Sequence, residues 1–244
     1  MMKIIINTIF LPIILFGQNI TGDEILAQLD KNRWSETSIV VSTMKIHGKR
    51  GMRTITSKTW MNSEDQSFTE YLSPARQKGV KMLKLGDNLW MYSPQADRTI
   101  KIAGHMLRQS LMGSDLSYED MMENNRLKEA YKATVTGEEI ISGRDCYVLE
   151  LSAVESDLAY QKRKLYVDKI RMVAIKEERF AKSGKLLKTT LMEEVMQVAD
   201  RWIPKKMIFK DALSEGSGTE FIIDEIEFDV EIPQTVFSKA SLRK

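Results

Sequence analysis

The residues best placed to do chemistry lie in one short stretch, Ser110 to Met122, which reads SLMGSDLSYEDMM. Asp115, Glu119 and Asp120 fall close together there, and His105 precedes them. Carboxylates with an imidazole are the ligand types of many metal sites, and paired carboxylates serve as general acid and base. Their spacing argues against both roles. Glu119 and Asp120 are neighbours, which a helix sends to different sides, and the set matches no ligand spacing that a metal's geometry demands. Ser117 followed by Asp120 is instead a capping box, and carboxylates in a first helical turn favour the positive end of the helix dipole. These acids are expected to anchor helix ends, with no metal and no cofactor bound.

Other reactive residue types are sparse. The two histidines, His47 and His105, accompany no Gly-x-Ser-x-Gly elbow, and no glycine loop of the phosphate-cradling kind follows a strand. Cys146 is the sole cysteine, so neither an intramolecular disulfide nor a thiolate metal site is available. Its setting, Arg144-Asp-Cys-Tyr-Val-Leu-Glu-Leu, reads as a buried strand. Net charge is only +2, with 36 basic and 34 acidic residues and no basic stripe, which excludes nucleic acid as the main partner. Two short basic clusters, Gln161-Lys-Arg-Lys164 and Pro204-Lys-Lys, read as solvated charge or as contacts for anionic head groups or an acidic membrane partner.

The elements that must position these residues are mostly strands. Residues 1–17 have the layout of a cleaved export signal: Met-Met-Lys, an apolar run from Ile4 to Phe16, then Gly17. The remaining chain, 18–244, reads as one domain. Thr21-Gly-Asp-Glu24 is a capping box opening a helix over Gly22–Arg33, with Ile25, Leu26 and Leu29 at helical spacing. From Thr37 the period becomes two, with Val40, Met44 and Ile46 on one face. About six antiparallel strands follow to Ile102, and seven more run from Tyr131 to Ile232. In the last, Ile226, Phe228, Val230 and Ile232 alternate with acids, while Asp224 falls on the apolar side, near the strand start or paired. So many strands with so few helices must curl, because a flat open sheet leaves an unburied face. Residues 105–125 interrupt the pattern with two short methionine-rich helices, placed to cover an open barrel. Trp34 is expected to pack the first helix and Trp202 to be structural, whereas Trp60 and Trp90 fit either core packing or cavity lining.

Three groups of residues, Leu89-Trp-Met-Tyr-Ser-Pro with Arg98-Thr-Ile-Lys-Ile, Gly-Ser-Asp-Leu-Ser-Tyr-Glu-Asp at 113–120, and the ending Ile232-Pro-Gln-Thr-Val-Phe237, resemble the LolA-like outer-membrane lipoprotein-sorting family of Gram-negative bacteria. Further matches are Leu165-Tyr-Val-Asp168, Gly184-Lys-Leu-Leu-Lys and Trp202-Ile-Pro. The resemblance implies a mainly β, incomplete and strongly curved antiparallel barrel, lidded by inserted helices, that carries acyl chains across the periplasm without catalysis. The partners it implies are an acylated lipoprotein or lipid, an inner-membrane transporter and an outer-membrane acceptor, with the carrier itself a monomer. Candidate cavity residues on the strands are Met44, Ile46, Trp60, Leu83, Leu85, Trp90, Tyr92 and Ile100. In the lid they are Met106, Leu107, Leu111, Met112, Leu116, Tyr118, Met121 and Met122. The alternatives are an envelope scaffold with a filled barrel and a lipid-ester hydrolase using His47 or His105.

Overall fold

Alternating burial fixes the first half of the fold. The computed structural model describes residues 20–48, 51–63, 65–123, 126–156 and 158–243, so the expected leader lies outside the described residues. Strand β1 (Thr37–Gly48) buries every second residue from Ser38 to Ile46, as the spacing of Val40, Met44 and Ile46 predicts. It continues antiparallel into β2 (Gly51–Asn62), β3 (Gln66–Ser73), β4 (Lys81–Leu85), β5 (Asn88–Ser93) and β6 (Arg98–Ile102). The second half is a longer meander, β7 (Tyr131–Ile141), β8 (Arg144–Ala153), β9 (Lys162–Asp168), β10 (Ala174–Phe180), β11 (Leu186–Val198), β12 (Arg201–Asp211) and β13 (Thr219–Phe228).

Pairing of β1 with β13 fuses the two meanders into one thirteen-stranded antiparallel sheet whose edges are β6 and β7. Those edges do not pair, so the sheet is not a closed barrel. Near that β1–β13 junction the register shifts between Val41 and Ser42, opposite Glu225 and Ile223. The residue squeezed out there is Asp224. It sits exposed in the bulge, and Thr43 Oγ1 donates to its Oδ2 at 2.7 Å. A bulge adds one residue and flips the local alternation, which is why an acid fell on the apolar side of the pattern. The strand also ends earlier than the alternation suggests. Asp229 has φ +56, so Val230 and Ile232 lie beyond it.

Helix α1 (Gly22–Arg33) forms as its capping box requires, with Thr21 Oγ1 accepting from the Glu24 N–H at 3.2 Å. It buries Ile25, Leu26 and Leu29 against Tyr131, Leu149, Leu151, Leu165 and Val167, the inner face of β7–β9. Each such side chain contributes roughly 1.5–3 kcal/mol when removed from water. The approach is close at the helix start: a Cβ on Gly22 would lie 2.4 Å from the Ala133 carbonyl oxygen.

The segment between the edge strands folds over the inner face of the other half. It contains 3₁₀ turns at Gly104–Arg108 and Leu111–Gly113 and the short helices α2 (Tyr118–Met122) and α3 (Leu127–Ala130). Leu111, Leu116 and Tyr118 join Met44, Ile46, Ile55, Tyr71, Met82, Leu89 and Ile102 in one buried cluster. Asp30 of α1 accepts the Leu127 and Lys128 N–H groups at 2.9 and 3.0 Å, so α1 caps α3. On the opposite face of the sheet, the C-terminal residues Phe237 and Leu242 pack against Phe68 and Leu83.

Candidate functional site

Because α1 covers one half of the inner face and the inserted segment covers the other, a gap is left between them. It is a cavity of about 460 Å³, within the range of about 300–1,000 Å³ common for small-molecule sites. Strands from both halves line it, including Met44, Phe221 and Ile223 beside the β1–β13 junction and Trp202, Met207 and Phe209 on β12. Leu29 of α1 and Leu111, Leu116 and Met121 of the inserted segment line it as well. Six lining residues are methionines: Met44, Met61, Met121, Met172, Met192 and Met207. Thioether chains are flexible and polarizable, which suits a surface that must follow an ill-defined apolar shape. A patch of hydroxyls interrupts the apolar wall. Ser42 and Ser57 lie 3.2 Å apart and Thr59 and Thr69 3.0 Å apart, in register on β1, β2 and β3.

The candidate residues separate by position and, on the strands, by the face they share. Met44, Leu111, Leu116 and Met121 line the cavity. Ile46, Met106, Leu107, Met112, Tyr118 and Met122 belong to the adjoining cluster beneath the inserted segment, without lining the cavity itself. Trp60, Leu83, Leu85, Trp90 and Tyr92 point the other way and pack with Phe237 and Leu242. Successive strand side chains alternate faces, and the sequence does not reveal that the C-terminal segment covers the outer one. Those five therefore leave the cavity set. Ile100 does also: it is 40% exposed on edge strand β6. Trp202, expected to be structural, lines the cavity, and the Arg171 guanidinium lies 4.9 Å from its ring centroid.

At one side the cavity meets a buried ionic cluster. Glu177 Oε1 and Oε2 accept from Arg163 at 2.9 Å and Arg179 at 3.0 Å. Asp120 of α2 accepts from Tyr160 Oη at 2.6 Å and Arg179 Nη1 at 3.1 Å, and pairs with Lys188 Nζ. Glu123 pairs with both Arg163 and Arg179. Burial by itself raises the pKa of Glu177, but the two guanidiniums outweigh it and hold the carboxyl down at about 2. Burial likewise opposes ionisation of Asp120, and Lys188 and Arg179 prevail to lower its pKa. Burial draws Arg163 down to about 10. Its guanidinium stacks 4.6 Å from the Tyr131 ring centroid.

This cluster corrects two sequence expectations. Arg163, in the basic run at 161–164, is buried within the cluster and is not a solvated charge. Asp120 does close the capping box on Ser117, but it also ties α2 to β10 and β11. Asp115 does comparable work: Thr219 Oγ1 donates to it at 2.7 Å and the Asp211 N–H at 3.1 Å. Arg53 Nη2 adds a bond to the Met112 carbonyl at 3.0 Å. The inserted segment is thus fastened by polar bonds to β2, β10, β11, β12 and β13. Continuous charge, Lys-Arg-Lys at 162–164 and Lys-Glu-Glu-Arg at 176–179, hid the cluster in the sequence, because nothing local says which face is inward.

His47 Nε2 pairs with Glu220 at 2.9 Å, and neither histidine is among the lining residues. Cys146 is fully buried, and burial pushes its thiol pKa up. Among the described residues no group of three or more His, Cys, Asp or Glu side chains could hold a metal ion, and no helix is long and apolar enough to cross a membrane.

Comparison with known proteins yields a consistent fold. A family model described as uncharacterized-protein-like matches residues 63–244. A DUF1329 family protein from Desulfovibrio piger superposes with a TM-score of 0.80 at 23% identity, covering 91% of this chain and 97% of the other. A putative outer membrane lipoprotein-sorting protein domain from Vibrio parahaemolyticus gives 0.78 at 22% identity, covering 91% and 98%. A LolA superfamily protein from Nitrosomonas europaea gives 0.76 at 23% identity, covering 91% and 100%. No curated protein matches the sequence.

Proposed function

This chain belongs to the uncharacterized-protein-like family matched over residues 63–244 and carries the LolA-like lipoprotein-sorting fold, and from that premise we propose that it is a non-catalytic periplasmic carrier of acyl chains. The cavity between the two halves of the sheet carries this reading, since its apolar, methionine-rich wall suits a flexible hydrocarbon. Burial contributes about 0.8 kcal/mol per methylene, so a twelve-carbon chain supplies on the order of 9 kcal/mol before the costs of association. The cargo is an acylated lipoprotein or a lipid, received from the inner membrane and passed to an acceptor at the outer membrane. A scaffold needs no such cavity, and neither histidine on which the hydrolase reading rests lines it.

In this reading loading displaces the roof. Leu111, Leu116 and Met121 cover the cavity, and the segment bearing them is held by Arg53, Arg179, Lys188 and Thr219. The segment also buries Leu111, Leu116 and Tyr118 against the sheet, so lifting it costs apolar contact as well as these polar bonds.

Native mass spectrometry of protein purified without detergent from the periplasm of its expression host tests the proposal. The expected result is an adduct with the mass of an acylated lipid, lost in a Val40→Trp variant that fills the cavity from β1. Protein that emerges free of lipid and takes up no acyl probe in vitro overturns the carrier reading.

A further inference from the structure

We propose that the cargo carries an oxyanion head group, a carboxylate or a phosphate, and that Asp120 and Glu123 occupy its seat while the roof is shut. This rests on the carrier reading and names the class of amphiphile. Arg163, Arg179 and Lys188 are direct register partners on β9, β10 and β11, so three cations stand side by side across three strands. Strands lie about 4.8 Å apart, and like charges directly opposite one another destabilise a sheet. Such a row requires anions.

The sheet itself supplies one, Glu177, which leaves the row with two uncompensated positive charges. The other two carboxylates, Asp120 and Glu123, come from the inserted segment. All three cationic side chains are nearly enclosed, with relative exposures of 3%, 12% and 12%. When α2 lifts, the row keeps its cations and loses two of its three anions. Arg179 and Glu177 line the cavity, so this charge borders the space where the acyl chain lies. The Nε–H groups of Arg163 and Arg179 also have no acceptor in the closed arrangement, leaving donors unused. An amphiphile with an anionic head takes over the role of the departing carboxylates. A neutral one leaves two of the three positive charges uncompensated. Guanidinium forks match carboxylate and phosphate oxygens alike, so the row selects for oxyanions as a class.

Titration calorimetry with dodecanoate, dodecyl phosphate, monododecanoylglycerol and inorganic phosphate tests this. Both anionic amphiphiles are expected to bind about tenfold or more tightly than the neutral ester, and inorganic phosphate alone to bind far more weakly than dodecyl phosphate. Lys188→Gln should shrink the preference for anions to about threefold or less, by losing one charge partner of the head group. Asp120→Asn should enlarge it, because the competing carboxylate is gone. Equal affinity of the wild-type protein for the neutral and anionic chains overturns the head-group proposal and leaves the carrier reading standing. Inorganic phosphate binding as tightly as dodecyl phosphate overturns it too, by assigning the row to a free anion. Failure of every amphiphile to bind removes both proposals. Should Lys188→Gln not fold, an unchanged anion-to-neutral ratio in Asp120→Asn is itself the refutation.

Discussion

Glu177→Gln offers the sharpest test of the buried cluster. The carboxylate is 5% exposed and its oxygens accept from Arg163 at 2.9 Å and Arg179 at 3.0 Å. Its pKa stands at about 2 in the fold against a reference of 4.5. At about 1.36 kcal/mol per unit, the difference of roughly 2.5 units corresponds to about 3 kcal/mol of stability at neutral pH. That agrees with the roughly 3–5 kcal/mol lost when one partner of a buried ion pair is removed. A domain of this size shifts about 2–4 °C in Tm per kcal/mol, so the variant should melt about 6–12 °C lower.

The pH dependence gives the experiment a second arm. A carboxyl whose pKa is depressed by folding contributes stability above its unfolded value and loses it as pH falls through the folded one. The gap between wild type and Glu177→Gln should therefore hold from pH 7 to about 4.5 and drop below half by about pH 3. Urea unfolding followed by tryptophan fluorescence measures it. A gap under about 1 kcal/mol at pH 7, or one that stays constant into acid, means that the arginines are solvated and the cluster is not buried as described.

Three further outcomes follow from the same packing. Leu111→Ser should weaken binding of an acyl probe by about tenfold or more, since Leu111 is 4% exposed and lines the cavity, whereas Met112→Ser should change it by about threefold or less. Fluorescence displacement compares the two, and equal losses would remove the distinction between roof and rim. Phe237→Ala should cost roughly 3–5 kcal/mol in denaturant unfolding while the folded protein keeps its acyl affinity, because Phe237 packs on the outer face. Gly22→Ala should destabilise by about 1–3 kcal/mol, its new methyl meeting the Ala133 carbonyl at 2.4 Å, and an unaltered midpoint would show that α1 shifts freely on β7.

The sheet was legible because strand periodicity is a local signal. Thr21–Glu24 announced α1, the alternation from Val40 to Ile46 announced β1, and thirteen strands were countable from turns. Which face turns inward is not local. Trp60 and Trp90 differ from Met44 only in parity, and the decision belongs to Phe237 and Leu242, more than a hundred residues downstream. The bulge at Asp224 hid similarly, since it shows only when β13 is laid against β1. The ionic cluster was the least legible part. It joins Asp120, Arg163, Glu177 and Lys188, which acquire meaning only through pairing across β9, β10 and β11.

That pairing also explains why one segment serves as both roof and counterion. The sheet leaves β6 and β7 as its two edges, unpaired with each other, and the chain must cross from one to the other between Ile102 and Tyr131. A crossing over the inner face can shield the apolar wall with Leu111, Leu116 and Met121 and neutralise the cationic row with Asp120 and Glu123. The two tasks are coupled, because lifting the segment exposes hydrocarbon and unpaired charge together. A ligand that supplies only a chain answers half of that cost, and one that supplies only an anion answers the other half. On the proposed reading an anionic amphiphile answers both, so the displacement proposed to admit it is the one it stabilises.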